Sequence, residues 1–240
     1  MDNLVYLFDV DGTLTPPMKN MRPEITMRFL EWVKDKDVYI VAGSDKKKVN
    51  RQLPASVLSR VKGVFCSSAN ELWVKDKLIY KNNWTPPHDF LSCLSQLYKS
   101  SHFTPKGKNF IEKRTGMVNF SIVGREAHPE LREIYYEWDK KNKDREKMTL
   151  TIMGDYPNLE ACIGGQISID IYPKGQDKSQ ASKWVTKNLK KEIVFFGDKC
   201  QKGGNDYPIA LDILSGNKGT YHNVTSDAHT LELLEKKYLN

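Results

Sequence analysis

The sequence has no run of apolar residues long enough to span a bilayer, which excludes a transmembrane helix within it. It has only four cysteines, Cys66, Cys93, Cys162 and Cys200, with no CxxC pair and no histidine spacing that suits zinc. Thiols scattered this way argue against a disulfide scaffold and for a reducing compartment, so a cytoplasmic location is expected. The opening Met1-Asp2-Asn3 lacks the basic start of a secretory leader. There is no internal repeat and no low-complexity tract. The net charge of +7 comes without a recognition-helix pattern, a zinc motif or an RNP-like aromatic motif. It therefore reads as solvated surface with a few cations gathered around an anionic substrate. Neither nucleic acid nor membrane is an expected partner.

What is present is an α/β pattern interrupted once. At 240 residues the chain can hold one large domain or two modest ones. Leu4 to Asp9 is a short apolar run that ends in acidic and glycine residues, as a buried parallel strand does. Pro23 to Lys34 carries Ile25, Phe29, Leu30 and Val33 at near-helical spacing, with proline in the first turn. Asp37 to Ala42 is a second strand, and Ser44-Asp45 can cap the helix after it. The pattern then changes. Leu72–Val74 and Leu78–Tyr80 flank a hairpin turn, and Asn109–Glu112 with Met117–Ser121 flank another at Thr115-Gly116. Pro129 to Lys141 is helical and Ser168 to Tyr172 is a strand, while 147–153 has no clear assignment. Together these suggest an antiparallel α+β module of roughly 80–100 residues. After Pro173 the α/β pattern resumes: a helix over 178–189, a strand over 193–196, a strand near 221–224 and a last helix over 226–238.

Three acidic clusters lie just after strands of the α/β part: Asp9-Val10-Asp11-Gly12-Thr13, Ser44-Asp45, and Gly197-Asp198 with Gly204-Asn205-Asp206. In an open parallel sheet the carboxyl ends of the strands line the ligand crevice, so these distant segments should converge there. Asp9 and Asp11 point to the same side while the chain stays extended. Two carboxylates so placed suit two tasks, attack on phosphorus and proton transfer. Clustered carboxylates also suit Mg²⁺, with Asp9 and Asp198 the best ligands. Gly12 permits close approach to a phosphate, and the hydroxyls of Thr13 and Ser44 can donate to it. Lys178, at the return into the α/β part, can pair with the phosphate and with Asp9.

Four longer stretches carry a wider likeness: FDVDGTLTPP at 8–17, FIEKRTGMVNFSIVGR at 110–125, GGQISIDIYPKGQDK at 164–178 and FFGDKCQKGGND at 195–206. In order and approximate spacing the chain resembles the eukaryotic-type phosphomannomutases of the haloacid dehalogenase-like superfamily. That resemblance implies a haloacid dehalogenase-like Rossmannoid core with a parallel sheet, over residues 1–82 and 178–240. An inserted α+β cap with an antiparallel sheet would cover residues 83–177. It implies that Asp9 accepts the phosphoryl group, that Asp11 is acid and base, and that Mg²⁺ is held by Asp9, Asp198 and the backbone carbonyl of Asp11. A second cation site would fall near Ala210, Asp212 and Ser215. In the cap, Arg114, Arg125, Arg132 and Ser168 would grip the phosphate that is not being transferred, and Asp170 the sugar hydroxyls. Ser168 and Asp170 do share one face of a strand, and guanidinium forks suit phosphate.

The activity implied is interconversion of mannose 6-phosphate and mannose 1-phosphate, with a sugar bisphosphate as activator and intermediate and with glucose phosphates as further substrates. The alternative is a phosphosugar phosphatase of the same superfamily. The resemblance also implies a homodimer through the caps, with Phe90 and Leu94 among the apolar residues near the contact. The chain departs from the family in places. Met18 stands where an arginine is usual, Ala69-Asn70-Glu71 where Glu-Asn-Gly is usual, and Gln176 in place of a tryptophan. Lys113 and Thr115 alter the cap hairpin.

Overall fold

The computed structural model describes residues 3–216 and 218–238. The chain divides into two compact units, Met1–Asn82 with Gly175–Asn240, and Asn83–Lys174. The first segment of unit one contains β1 (Leu4–Phe8), α1 (Pro23–Trp32), β2 (Asp37–Val41), α2 (Lys46–Gln52), α3 (Ala55–Arg60), β3 (Gly63–Cys66), β4 (Glu71–Val74) and β5 (Lys77–Lys81). Unit two contains α4 (His88–Ser100), β6 (Ile111–Arg114), β7 (Met117–Phe120), α5 (Pro129–Asn142), α6 (Asp144–Asp155), β8 (Leu159–Gly164) and β9 (Ser168–Pro173). The chain then returns to unit one with α7 (Ser179–Asn188), β10 (Glu192–Gly197), α8 (Tyr207–Ser215), β11 (Gly219–Asn223) and α9 (Asp227–Lys237).

Unit one is built on a seven-stranded sheet in the order β11-β10-β1-β2-β3-β4-β5. The five strands from β11 to β3 are parallel, and β4 and β5 run antiparallel at one edge. Both faces of β1 are covered, which is why LVYLF is an unbroken apolar run rather than an alternating one. Tyr6 and Phe8 pack on one face with Phe29, Trp32 and Phe196, while Val5 and Leu7 pack on the other with Phe65, Val185 and Ile209. The next strand after β1 lies on one side of it and the late strand β10 on the other. That reversal opens the crevice at the carboxyl ends of β1 and its neighbours. The sheet thus puts Asp9, Gly43-Ser44 and Asp198 at one end.

Unit two has a four-stranded antiparallel sheet in the order β6-β7-β9-β8. Its core is formed by Phe120, Ile122, Ile169 and Ile171 against Phe90 and Leu94 of α4, Tyr135 of α5, and Met148 and Ile152 of α6. No helix among the described residues is long and apolar enough to cross a membrane.

Four expectations change. The hairpin at 72–80 extends the large sheet of unit one as β4 and β5, on the side of residue 82 that the resemblance implies and not in the antiparallel module that the local pattern alone suggests. Its pairing with β3, from Val64–Trp73 to Cys66–Glu71, buries Leu72 against the core, a contact that local sequence does not announce. Residues 147–153 are helical, within α6, because Met148, Thr149 and Ile152 bury one side against the sheet while Leu150 stays exposed. The chain rejoins unit one at Gly175 rather than Lys178. There Asn70 Nδ2 donates to the carbonyl of Gln176 at 3.4 Å. Lastly, Phe90 and Leu94 are fully buried within unit two and present no surface to a second copy.

Candidate active site

The site in unit one starts from Asp9, the residue after β1, whose amide donates to the carbonyl of Phe196 at 2.9 Å. This bond ties the end of β1 to the end of β10 and brings two acidic segments together. Lys178 is 1% exposed, and its ammonium donates to Asp9 Oδ1 and Asp206 Oδ1, each at 2.6 Å. Asp206 is held from its other oxygen by the amide of Lys199 at 3.1 Å. One carboxylate oxygen from each of Asp9, Asp198 and Asp206 lies within 4.8 Å of the others. Two glycines make this convergence possible. A Cβ on Gly12 would sit 2.5 Å from Asp198 Oδ2, and Gly12 has φ +86°; a Cβ on Gly197 would sit 2.7 Å from Asp206 Oδ2. The glycine in each motif is thus required by an aspartate of the late acidic segment.

Lys178 pairs with two of the three carboxylates, Asp9 and Asp206, and Asp198 lies half-buried beside them, so the cluster carries excess negative charge. Burial pushes the Asp9 carboxyl up to about 8; Lys178 opposes the rise, and Asp206 and Asp198 add to it. Burial, followed by Asp206, raises Asp198 to about 6. Burial works against the ammonium of Lys178, but Asp206 and Asp9 outweigh it and hold the lysine charged. The residues present fit a Mg²⁺ ion. The donors are hard oxygens at the right mutual spacing, their charge is under-compensated, and a divalent cation would relieve it. In the segments that follow β1, β3 and β10, Thr13 Oγ1, Ser67 Oγ and Asn205 Oδ1 are buried with no hydrogen-bond partner in the protein, polar groups suited to waters or phosphate oxygens.

Asp11 has its own surroundings. Its Oδ2 accepts from the Lys48 ammonium at 2.7 Å, and its Oδ1 accepts from Gln52 Nε2 and the amide of Met18, both at 2.7 Å. Burial pushes the carboxyl up, but Lys48 and these hydrogen bonds prevail and hold it below its usual range. Lys48 and Gln52 lie four residues apart on one face of α2, whose N-terminus is capped by Asp45 accepting from the amide of Lys48 at 2.7 Å. Met18 takes φ +64°, a left-handed conformation uncommon outside glycine, and its side chain is exposed while its amide serves Asp11. Thr13 is fixed from behind by Thr230, whose hydroxyl donates to its carbonyl at 2.7 Å. The carbonyl of Ser44 accepts from the amide of Ser67 at 2.8 Å.

Unit two carries the second group of candidates. Arg114 ends β6 with a buried guanidinium that donates from Nε at 2.9 Å and Nη2 at 2.5 Å to Glu112 Oε2. Arg125 Nε lies 3.0 Å from the same oxygen. Asp170 on β9 accepts from Asn119 Nδ2 at 2.5 Å and faces Arg114 Nη1 at 3.9 Å. Arg132 donates to the carbonyls of Arg125 and Ala127 at 2.8 and 3.0 Å, so it holds the backbone that presents Arg125. The carbonyl of Ser168, on the same strand as Asp170, accepts from the buried Arg145, which is itself paired with Asp139 at 2.7 Å.

Asp9, Asp11, Thr13, Ser44 and Asp198 thus follow the strand ends of unit one, and Lys178 stands at the start of α7. Arg114, Ser168 and Asp170 belong to the sheet of unit two, Arg125 to the loop after β7 and Arg132 to α5. Asp212, on α8, accepts instead from Ser182 Oγ at 2.5 Å and Lys218 Nζ at 2.9 Å. Among the described residues, the acidic groups close enough to share a metal are Asp9, Asp198 and Asp206. Asp206 joins the expected ligands Asp9 and Asp198, and the GGND segment carries its signal. Lys48, Gln52 and Glu112 are further residues of these sites that the motifs do not single out. Glu112 was legible in principle, two residues before Arg114 on the same strand face.

A family model for eukaryotic phosphomannomutase matches residues 26–239. A phosphomannomutase of Dendrobium officinale is 36% identical over 100% of this chain and 96% of its own length. One from Solanum lycopersicum is 35% identical over 95% of this chain and 92% of its own length. The chain belongs to the eukaryotic phosphomannomutase family. The fold is shared more widely. A solved sugar phosphatase of haloacid dehalogenase subclass IIB superposes with TM-score 0.63 at 15% identity, covering 98% of this chain and 99% of that one. Family membership agrees with the resemblance read from the four sequence stretches, and the structural likeness agrees with the core-plus-cap fold class.

Proposed function

We propose that this protein interconverts mannose 6-phosphate and mannose 1-phosphate through a phosphoryl group carried on Asp9. The observation that carries the proposal is the pairing of a buried Asp9, in a carboxylate cluster with Lys178, with a separately held Asp11. One oxygen attacks phosphorus, and the other carboxylate moves the proton of the sugar hydroxyl. Lys178 offsets charge on Asp9 and on the incoming phosphate, and Thr13 and Ser44 donate hydroxyls to it. Asp9, Asp198, Asp206 and the carbonyl of Asp11 would hold Mg²⁺, which supplies further neutralisation of the phosphoryl oxygens. Arg114, Arg125, Arg132 and Ser168 bind the phosphate that stays, and Asp170 binds sugar hydroxyls. A sugar bisphosphate that turns around before leaving moves phosphate between positions without net hydrolysis. The relatives from Dendrobium officinale and Solanum lycopersicum, both phosphomannomutases, support this reading. A second cation near Ala210, Asp212 and Ser215 belongs to the same proposal, Asp212 being paired with Lys218 in its absence. The free state of Cys66, Cys93, Cys162 and Cys200 supports a cytoplasmic location.

The test is turnover of mannose 1-phosphate and of glucose 1-phosphate, each with a catalytic amount of sugar bisphosphate, scored for isomer and for free phosphate. Isomer is expected to dominate. Free phosphate as the main product would replace the mutase with a phosphosugar phosphatase, a reading that the loss of the usual arginine at Met18 favours.

A further inference from the structure

In unit two, one carboxylate oxygen collects two guanidinia. Glu112 Oε2 accepts from Arg114 Nε and Nη2 at 2.9 and 2.5 Å and lies 3.0 Å from Arg125 Nε. Three N–H groups around one anionic oxygen is the arrangement that these arginines would offer a phosphate oxygen. Arg114 is also flanked by Asp170 at 3.9 Å, and its side chain is 7% exposed while that of Glu112 is 35% exposed. The arginine is thus fixed and the carboxylate is the accessible partner. Donors aimed at Glu112 cannot serve a phosphate at the same moment.

We infer that Glu112 is the resident counter-anion of this phosphate subsite, a specificity-determining residue that an incoming phosphate must displace from the two guanidinia. The inference rests on the reading above that Arg114 and Arg125 hold the phosphate that is not transferred. A singly charged anion matches Glu112 in charge and gains nothing by replacing it. A phosphate monoester near neutral pH carries close to two charges and three acceptor oxygens, so it outcompetes the carboxylate. The subsite then admits phosphorylated sugars, rejects carboxylates, and lets product go when Glu112 returns.

The experiment compares wild type, Glu112→Gln, Arg125→Ala and the double variant. Each is assayed for the KM of mannose 1-phosphate relative to that of p-nitrophenyl phosphate, and for inhibition by acetate. Glu112→Gln is expected to lower the KM ratio about tenfold, equivalent to ~1.4 kcal/mol, and to create inhibition by acetate. Arg125→Ala should raise the ratio, and the gain from Glu112→Gln should disappear in its presence, as coupled sites require. Glu112→Ala, which removes the charge without leaving an amide, should act in the same direction. A raised or unchanged ratio in both Glu112 variants, with Arg125→Ala still harmful, overturns the inference and makes Glu112 a scaffold for the arginines. No effect of Arg125→Ala overturns the phosphate-subsite reading itself, and the inference with it.

Discussion

At the scale of single residues, the site separates two aspartates two positions apart by giving each a different set of partners. Asp9 shares Lys178 with Asp206, whereas Asp11 is held by Lys48, Gln52 and the Met18 amide. Asp9→Asn is expected to abolish turnover and leave the thermal unfolding temperature near that of wild type, because the amide cannot attack phosphorus but fits the same space. Normal activity in that variant, after deamidation is excluded by mass spectrometry, would sink the assignment. Met18 is a second informative position. Its backbone already serves Asp11 and its side chain is exposed, so Met18→Arg adds a cation without disturbing that bond. The expected result is a lower KM for sugar phosphate and less free phosphate per isomer formed. Lys19→Ala should harm the wild type only if Lys19 already supplies that charge, and the two changes combined show whether Met18→Arg rescues it. If none of the three variants differs from wild type, position 18 does not act on substrate.

At the scale of elements, short helices carry the positioning. α2 spans seven residues, too few to be stable alone, and is fixed by the Asp45 cap and by burial of Val49 and Gln52. Removing the cap with Asp45→Ala should cost about 1 kcal/mol of stability. The functional loss should be larger than that figure suggests, because Lys48 and Gln52 reach Asp11 from this helix. kcat is expected to fall severalfold with little change in KM, and equal loss of kcat and unfolding temperature in an unrelated surface variant would remove the link. In unit two, Arg132 has the corresponding part: by holding the carbonyl of Arg125 it sets where that guanidinium is presented. Arg125→Ala and Arg132→Ala should each weaken sugar phosphate by about 10–150-fold, the equivalent of roughly 1.5–3 kcal/mol. Equal loss with a small aryl phosphate would argue that the arginines do not bind the second phosphate.

At the scale of the whole molecule, the carboxylate cluster couples stability to pH and metal. Folding raises Asp198 to about 6 and Asp9 to about 8 from an ordinary value of 3.8. Groups raised in this way stabilise the fold fully below their unfolded values, and that contribution is lost as pH rises through the folded ones. Asp11, held low, is ionised in both states over roughly pH 5–8 and does not titrate there. Without divalent metal, the unfolding temperature should therefore fall as pH rises from about 5 to about 8. Mg²⁺ should raise it more at the upper end of that range, since the metal binds the ionised carboxylates. Asp198→Asn should flatten both trends, and a Mg²⁺ shift that is the same at both pH values would argue against this cluster as the metal site. The homodimer implied by the family resemblance remains a proposal. Light scattering at micromolar concentration should find two copies, and a monomer would refute it.

The sequence by itself determined the elements whose chemistry is local. The apolar run of β1, the proline-started α1, the Asp45 cap and the Thr115-Gly116 hairpin were legible because burial on both faces, capping and turn geometry leave direct marks on neighbouring residues. DVDGT, Gly-Ser-Asp and GDKxxxGGND marked the chemistry for the same reason, each lying where a parallel strand ends. Tertiary structure decided what depended on distant partners. α6 has a weak local pattern and is set by Met148 and Ile152 packing on a sheet formed by other segments. The hairpin of β4 and β5 is set by β3, and the burial of Phe90 and Leu94 by helices and strands far along the chain. The roles of Lys48 and Gln52 were hidden for a related reason. A charged or amide side chain on a helix looks like solvated surface until the fold shows which carboxylate it meets, and pairing across space leaves no period in the sequence.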